Sequence, residues 1–462
     1  MEKLTITIIA ILLLAALTFF SCKPKQQEAS DEIRPFTSEV VHPEWTKDAI
    51  VYEVNTRQFT PEGTFKAFET HLPRLKELGV DILWFMPINP IGVKNRKEPL
   101  GSYYSVRDYK DVNPEFGTLD DFKTLVAKAH EMGFHVIMDW VPNHSSWDNQ
   151  ITIDHPDWYV KDSTGSFIPP IGTDWTDVIQ FDWTNRELQD YMIDALKFWV
   201  ELGVDGFRVD HPHKTPYDFW ERARVELEKV KPVFMLAENE WQVDFMIKGF
   251  DMSYAWELHH MMNSIAQGKD SLKSLRKYYK KELTIFPQNV YRLAFLDNHD
   301  ENSWNGTIQS RMGDAQDAFA VFIFTTRATP LLYNGQEVCM NKSLRFFMRD
   351  TIKWDTCART AFYKDLIKMR KSNIALSNGE YGGGMDTLVT GKDNKIFAYV
   401  RERENNRVLV MLNLTAKPVS FKPEFEKYAG EYTEHFSGAK VTIPFADSVK
   451  LGPWGYQVLV KK

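Results

Sequence analysis

The chain contains 462 residues, of which 43% are hydrophobic, so it can bury a barrel-sized core and still supply a second domain, which excludes a minimal binding module. Lys and Arg number 56 against 63 Asp and Glu, and the resulting net charge of −7 offers no broad attraction to nucleic acid or to an anionic membrane surface. We therefore expect a neutral or small polar partner.

The start of the chain has the pattern of an export signal in residues 1–22. A short charged segment precedes an apolar run over residues 4–20, and Ser21 stands directly before Cys22. The pattern resembles a bacterial lipoprotein signal, in which Cys22 becomes the lipid-bearing first residue of the mature chain. We expect residues 23–44 to form a flexible tether and the protein to be exported and lipid-anchored, in the periplasm or outer membrane. The alternative is an uncleaved membrane anchor, for which the apolar run is slightly shorter than the ~20 residues that a spanning helix needs.

The chain has three cysteines, and two of them lie outside this signal. An exported compartment permits a disulfide between Cys339 and Cys357, although nothing in their spacing requires one. The spacing is not that of metal ligands either.

Short apolar runs alternate with amphipathic helical stretches over residues 45–371, a pattern typical of β/α units around a parallel sheet. Eight candidate strands are predicted, at residues 49–54, 80–85, 134–139, 205–210, 233–238, 250–254, 291–297 and 329–333. Eight units favour a closed (β/α)8 TIM barrel over an open doubly wound sheet. No GxGxxG sequence follows any of these strands, which weakens a dinucleotide-binding interpretation.

Two further segments are predicted around this barrel. Residues 144–185, after the third candidate strand, form a long connection rich in Trp, Asp and Pro, which predicts a short inserted domain with a functional role. Over residues 372–462 the pattern changes to short alternating runs such as IFAYVRE and RVLVMLNL between Gly, Asn and Asp turns, which predicts a C-terminal all-β sandwich.

Polar residues close five of the eight candidate strands, at the end where a parallel barrel builds its active site. These strand ends read MDWVPNHSS with Asp139, Asn143 and His144, GFRVD with Arg208 and Asp210, MLAE with Glu238, FLDNHD with Asp297, His299 and Asp300, and LLYNGQE.

The acidic residues at these strand ends form a set suited to glycosyl transfer. Arg208 and Asp210 are two apart on one strand and project to the same face, where the guanidinium should keep the carboxylate ionised, as a nucleophile requires. Glu238 closes the next strand, and a neighbouring carboxylate should favour its protonated form, as a general acid requires. Asp300 adds a third carboxylate that could stabilise an oxocarbenium-like transition state. Each residue alone could instead be an ion-pair partner, a helix cap or a loop residue, but stability gives little reason to gather several carboxylates at one mouth.

The stretches FHVIMDWVPNH, DGFRVD, MLAE and FLDNHD resemble, in order and spacing, the signature regions of the α-amylase family of retaining glycoside hydrolases. VDILWFMPINPIG, GSYYSVRDYKDVNPEFGTLDDFK and ATPLLYNGQE are similar to further segments of that family. The resemblance implies Asp210 as nucleophile, Glu238 as general acid/base and Asp300 as transition-state stabiliser. It implies that the transferred sugar is held by Tyr104, His144, Arg208 and His299. On the residues alone, Tyr104 could equally be an ordinary aromatic at the barrel rim.

The sequence departs from the family pattern at Ala328, where Gly is common, and at two places that bear on the site. After the nucleophile it reads HPHK, so that His213 and Lys214 stand in the reverse of the usual Lys-His order, which leaves their contacts to the leaving-group sugars open. Asn143 matches the usual calcium-ligating asparagine, but Gln180 stands where the family often has an aspartate, which weakens a possible calcium site. The tryptophans of the inserted segment, which either shape the cleft or pack the loop, are Trp147, Trp158, Trp175 and Trp183.

The resemblance implies hydrolysis of α-1,4-linked glucans or maltooligosaccharides by double displacement. A 1,6-cleaving glucosidase, a cyclodextrin-opening enzyme and a transglycosylase remain open on the same site. A non-catalytic glycan-binding protein is the alternative from another class, but it predicts the loss of at least one of the three carboxylates, and all three are present. A membrane-associated structural subunit would leave these carboxylates unexplained.

Overall fold

The computed structural model describes residues 37–462. The expected signal with Cys22, and the first part of the expected tether, lie outside the described residues. Across 37–462, no helix combines the length and the apolar character needed to cross a membrane.

Eighteen strands are formed by the described residues. They are β1 (Val51–Val54), β2 (Ile82–Phe85), β3 (His135–Trp140), β4 (His144–Ser146), β5 (Val178–Gln180), β6 (Gly206–Val209), β7 (Phe234–Ala237), β8 (Met252–Tyr254), β9 (Tyr291–Phe295), β10 (Thr329–Tyr333), β11 (Asp386–Leu388), β12 (Ile396–Arg403), β13 (Asn406–Asn413), β14 (Val419–Phe421), β15 (Gly430–Glu434), β16 (Lys440–Ile443), β17 (Val449–Leu451) and β18 (Tyr456–Lys461).

Eight of these strands close into a parallel barrel in the order β1-β10-β9-β8-β7-β6-β3-β2. The eight strands predicted from the sequence are therefore confirmed, each to within two residues at both ends. At the start of β6, Gly206 lies so close to β7 that an added Cβ would come within 1.8 Å of the carbonyl oxygen of Phe234. Only glycine fits at this point of the barrel wall.

The helices pack around the barrel, and several of them begin at side-chain caps. They are α1 (Thr56–Phe59), α2 (Phe65–Glu69), α3 (Leu72–Leu78), α4 (Leu119–Glu131), α5 (Ile151–Asp154), α6 (Arg186–Leu202), α7 (Tyr217–Glu228), α8 (Phe245–Lys248), α9 (Trp256–Ala266), α10 (Leu272–Ile285), α11 (Ile308–Met312), α12 (Gln316–Thr325) and α13 (Ala358–Lys371). Helix α4 starts at a capping box between Thr118 and Asp121, and the side chain of Asn185 accepts two backbone N–H groups at the start of α6.

Side-chain direction alternates along each barrel strand, and this alternation determines which way the polar residues at the strand ends face. Inward-facing apolar residues such as Val51, Ile137 and Leu236 fill the barrel interior. Because strand side chains repeat their direction every second residue, the residues two further on, Glu53 and Asp139 among them, face the same interior at its carboxyl end. The apolar filling thus stops where the charged side chains begin.

The C-terminal region is all β, as predicted. Strands β11, β12, β13, β18, β15 and β16 form one sheet, and β14 pairs with β17 in a second. Val400 and Leu409 of the larger sheet pack with Phe421 of the smaller sheet in a shared core. The opposite face of the larger sheet lies against the barrel, where the ring of Phe397 is 5.7 Å from that of Phe322 in α12.

The remaining connections are short elements on the barrel. Residues 144–185 contain the antiparallel pair β4–β5 and the short helix α5. Cys339 and Cys357 form a disulfide, an arrangement that their spacing had left open.

Candidate active site

A cavity of about 500 Å³ lies at the carboxyl ends of the barrel strands. Among its lining residues are Tyr104, His144, Asp210, Glu238, His299 and Asp300. Six of the seven residues expected to react with or hold the sugar therefore share one cavity. The seventh, Arg208, is fully buried beneath its floor.

Arg208 joins the carboxylates of three neighbouring strand ends. Its Nη1 atom lies 2.9 Å from Oδ1 of Asp139 and 3.3 Å from Oδ1 of Asp210. Its Nη2 atom lies 2.8 Å from Oε1 of Glu238, an ion pair in which the N–H bond does not point straight at the oxygen. Nε donates to the hydroxyl of Tyr254 at 3.2 Å. The planar guanidinium thus fixes the relative positions of the carboxylates around it.

Asp210 and Glu238 approach each other closely across this floor. Each contributes a carboxylate oxygen to a group, with a ring nitrogen of His211, whose atoms all lie within 4.8 Å of one another. Retaining glycosidases hold their two carboxyl groups about 5–5.5 Å apart, so this separation fits that geometry. The side chains of Asp210 and Glu238 are 8% and 5% exposed, whereas that of Asp300 is 37% exposed. Asp300 therefore sits at the open side of the cavity and the other two at its floor.

His299 is held between two carboxylates. Its Nδ1 atom contacts Oε1 of Glu53 at 2.5 Å, and its Nε2 atom lies 3.4 Å from Oδ2 of Asp300. Burial acts to lower the pKa of His299, but Asp300 and Glu53 outweigh it and raise the pKa to about 9. Nε2 is also 2.8 Å from the hydroxyl of Tyr104, whose ring is nearly parallel to the imidazole. The cation and the tyrosine form one wall of the cavity.

Burial also changes the protonation of groups around the cavity. It raises the pKa of Asp139 to about 7 although Arg208 opposes the change, and it raises the pKa of Asp297, which accepts from Arg311, to about 7. Burial lowers the pKa of His144 to about 4. His144 is therefore a neutral hydrogen-bonding group at neutral pH.

Residues 44–169 and 156–373 match the α-amylase catalytic domain, and residues 387–458 match the C-terminal domain of maltogenic amylase. The chain belongs to the α-amylase family of glycoside hydrolases. The α-amylase MalA of Haloarcula japonica is 27% identical over 432 residues, a match that covers 89% of this chain and 62% of MalA.

Two solved structures of the same family superpose on most of the chain. The noncanonic maltogenic α-amylase AmyB from Thermotoga neapolitana has a TM-score of 0.82 at 28% identity, over 90% of this chain and 98% of AmyB. An α-amylase from Lactobacillus plantarum has a TM-score of 0.79 at 29% identity, over 89% of this chain and 98% of its own.

Of the four tryptophans of the inserted segment, one lines the cavity and three make packing contacts. Trp175 lines the cavity of this α-amylase-family enzyme. The indole of Trp147 donates to the carbonyl of Thr176, Trp158 stacks on His155 at 3.9 Å, and Trp183 packs at 4.6 Å from Phe219. These other three pack the loop and do not line the cavity.

Glu53 and His211 are among the residues at the site that were not anticipated from the sequence. Glu53 is the one charged residue of AIVYEV, and its place two residues after an inward-facing valine was the signal that could have revealed it. His211 directly follows Asp210 and lines the cavity, whereas His213 and Lys214 are exposed in the next turn and do not. The histidine that reaches the site is thus the first of HPHK.

The two residues considered for calcium, Asn143 and Gln180, do not supply a full set of ligand oxygens. Oδ1 of Asn143 is buried and has no hydrogen-bond partner, as a ligand oxygen would. Oε1 of Gln180 accepts the backbone N–H of Ile171 at 2.9 Å, so it is already engaged. Calcium takes 6–8 oxygen ligands and favours carboxylates. One free amide oxygen does not meet that demand, and these residues do not fit a calcium site.

Proposed function

We propose that the enzyme hydrolyses α-1,4-linked glucans or maltooligosaccharides with retention of anomeric configuration. The observation that carries this proposal is the approach of the Asp210 and Glu238 carboxylates to within 4.8 Å at the floor of the cavity. A pair spaced to hold a water between the sugar and a base, as inverting enzymes require, would be about 6.5–9.5 Å apart.

In the first step, a carboxylate oxygen of Asp210 attacks the anomeric carbon of the sugar. The bond from that carbon to the glycosidic oxygen breaks, and Glu238 gives its proton to this oxygen, so that the leaving sugar departs as an alcohol. In the second step, Glu238 takes a proton from water, the water oxygen bonds to the anomeric carbon, and Asp210 leaves as a carboxylate. Two inversions give net retention.

The remaining groups hold the sugar between these steps. The protonated His299 and the neutral His144 offer hydrogen bonds to hydroxyl groups, and the ring of Tyr104 offers an apolar face for the sugar. Asp300, the most exposed of the three carboxylates, is placed to accept hydroxyl hydrogen bonds that strengthen as positive charge develops on the ring.

The test compares Asp210→Asn, Glu238→Gln and Asp300→Asn with the unchanged enzyme on maltoheptaose. We expect each variant to lose at least about a thousandfold in kcat, within the range that follows removal of a catalytic group. Asp355→Asn, a charge loss at an exposed residue, serves as the control. Full activity of Asp210→Asn, or a product of inverted configuration by proton NMR, would refute the mechanism.

Linkage specificity is tested by the same enzyme on other substrates. Cleavage of maltoheptaose faster than pullulan and cyclodextrin supports 1,4-hydrolysis of linear chains. Preference for the 1,6 bonds of pullulan, for cyclodextrin rings, or for transfer to a second sugar would instead support the respective alternatives, with the same three carboxylates at work.

Export and lipid attachment at Cys22 are part of the proposal. The disulfide between Cys339 and Cys357 supports export, since such bonds persist in oxidising compartments. We expect palmitate labelling of the wild-type chain and its recovery with periplasm-facing or outer membranes, and loss of both in Cys22→Ser. Labelling that survives this substitution would refute the anchor.

The proposed chemistry uses no calcium ion. Because the donors around Asn143 are incomplete, we expect dialysis against EDTA to leave the melting temperature and kcat unchanged. A fall in either that added calcium restores would contradict this expectation.

A further inference from the structure

We infer that His211 is a positioning residue for the general acid: it fixes one oxygen of Glu238 and stabilises the carboxylate that remains after the proton has left. This inference rests on the function proposed above and names a group through which the same site acts.

Local sequence brings His211 to the acid. The residue follows Asp210 at the end of β6 and precedes Pro212, and a residue before proline is disfavoured in the right-handed helical region. His211 adopts the left-handed conformation instead, at φ 40° and ψ 54°. Such conformations in residues other than glycine are uncommon and concentrate at functional sites.

This conformation aims two groups of His211 at the same oxygen of Glu238. The backbone N–H donates to Oε2 at 3.2 Å, and Nδ1 of the ring lies 3.5 Å from Oε2. The other oxygen, Oε1, faces Arg208 at 2.8 Å. Oε1 is thus engaged by a permanent guanidinium charge, and Oε2 is the oxygen that His211 contacts.

Neighbouring side chains hold the imidazole in place and act on its pKa. Trp175 of the inserted segment stacks on it at 5.7 Å with an angle of 20° between the rings, and His213 touches its edge. Glu238 raises the pKa of His211 above its usual value, and Asp210 assists, while burial and Arg208 oppose the change. The backbone N–H and the imidazole beside Oε2 have little to stabilise while Glu238 is neutral and much to stabilise once it is ionised.

The consequence is specific to the proton-transfer step. When Glu238 protonates the glycosidic oxygen it gains a negative charge, which His211 stabilises in the transition state. A leaving group that departs without a proton, such as fluoride, does not need this help. Loss of His211 should therefore slow the cleavage of sugars and spare the cleavage of a glycosyl fluoride.

The experiment measures kcat for maltotriose and for α-maltosyl fluoride in His211→Asn. Asparagine tolerates the left-handed conformation but carries no charge, so the backbone can remain in place. We expect a roughly 10- to 100-fold fall with maltotriose, part of the 10²–10⁴ that general acid catalysis provides, and a fall below about threefold with the fluoride. His211→Ala should give the same ratio, and His260→Ala, at an exposed histidine of α9, should change neither rate.

Equal losses on both substrates, or no loss on either, would overturn the inference, because a purely structural role cannot distinguish the leaving groups. Asp210→Asn and Glu238→Gln, measured in parallel, separate this failure from failure of the proposed function. If those two variants are inactive while His211→Asn shows no selective loss, only the role of His211 is wrong. If they retain activity, the catalytic assignment itself falls.

Discussion

Replacing Glu53 by glutamine tests the charged wall of the cavity. Glu53 is fully buried, and its Oε1 atom lies 2.5 Å from Nδ1 of His299, whose pKa is raised to about 9 by Asp300 and Glu53 against burial. An opposite charge within 4–6 Å changes a pKa by about 1–3. Burial also raises the pKa of Glu53, so Glu53 and His299 compete for one proton, and we assign it to His299 because two carboxylates face the imidazole. Glu53→Gln should thus lower the pKa of His299 to roughly 6–8.

The pKa of His299 is best read from ring signals of histidine-labelled protein by NMR, with His299→Asn to assign the resonance. Above the new pKa, the imidazole keeps its proton on Nδ1, which donates to the neutral glutamine, and Nε2 carries no proton. Sugar binding should therefore weaken above that pKa. Glu337→Gln is a matched control, since Glu337 is equally buried but pairs with Arg74 outside the cavity. A pKa of His299 in Glu53→Gln that stays within half a unit of the wild-type value would refute the reasoning.

Three further predictions follow from the charges and crosslinks. Arg208→Lys should lower kcat by about 10²–10³, because one ammonium cannot replace the guanidinium that joins Asp139 to the proposed catalytic carboxylates, and a loss below fivefold would contradict this. Serine at both Cys339 and Cys357, 18 residues apart, should lower the free energy of unfolding by about 3 kcal/mol in guanidinium titrations, and an unchanged midpoint would count against it. Asp139 and Asp297 have folded pKa values of about 7, raised above the unfolded value, so their contribution is present at low pH and is lost as the pH rises through about 7. Calorimetry should therefore give a lower melting temperature at pH 8.5 than at pH 6.5, and the opposite order would be contrary to this assignment.

The barrel and the convergence of its candidate catalytic residues could be predicted because both follow from local pattern. Each strand is a short apolar run, and a residue that closes a parallel strand must lie at the same end as its neighbours. Asp210 and Glu238 needed no knowledge of loop shape to be brought together. Which tryptophan of the inserted segment lines the cavity could not be predicted in this way. The position of Trp175 depends on the path that the β4–β5 pair gives its loop.

The contacts that sequence reasoning missed are made through space. Glu53 reaches His299 across 246 residues, and no periodicity connects them. The disulfide is similar, because Cys339 ends a short helical turn after β10 and Cys357 caps α13, and only the docking of that helix places them together. His211 is the opposite case: it stands beside Asp210 in the sequence, but its function depends on a left-handed backbone conformation that composition does not specify.

The charges of the cavity explain why activity and stability should decline together at high pH. Among the carboxylates of its floor and walls are Glu53, Asp139, Asp210, Glu238 and Asp300. Arg208 is a permanent cation that contacts three of them, and further compensation comes from the imidazole of His299 and from protons retained by Glu53 and Asp139. Both sources are titrated away as the pH rises, which leaves buried negative charges to repel one another. Loss of these protons adds negative charge around Asp210 and Glu238, and the fold therefore limits the alkaline range of the proposed chemistry.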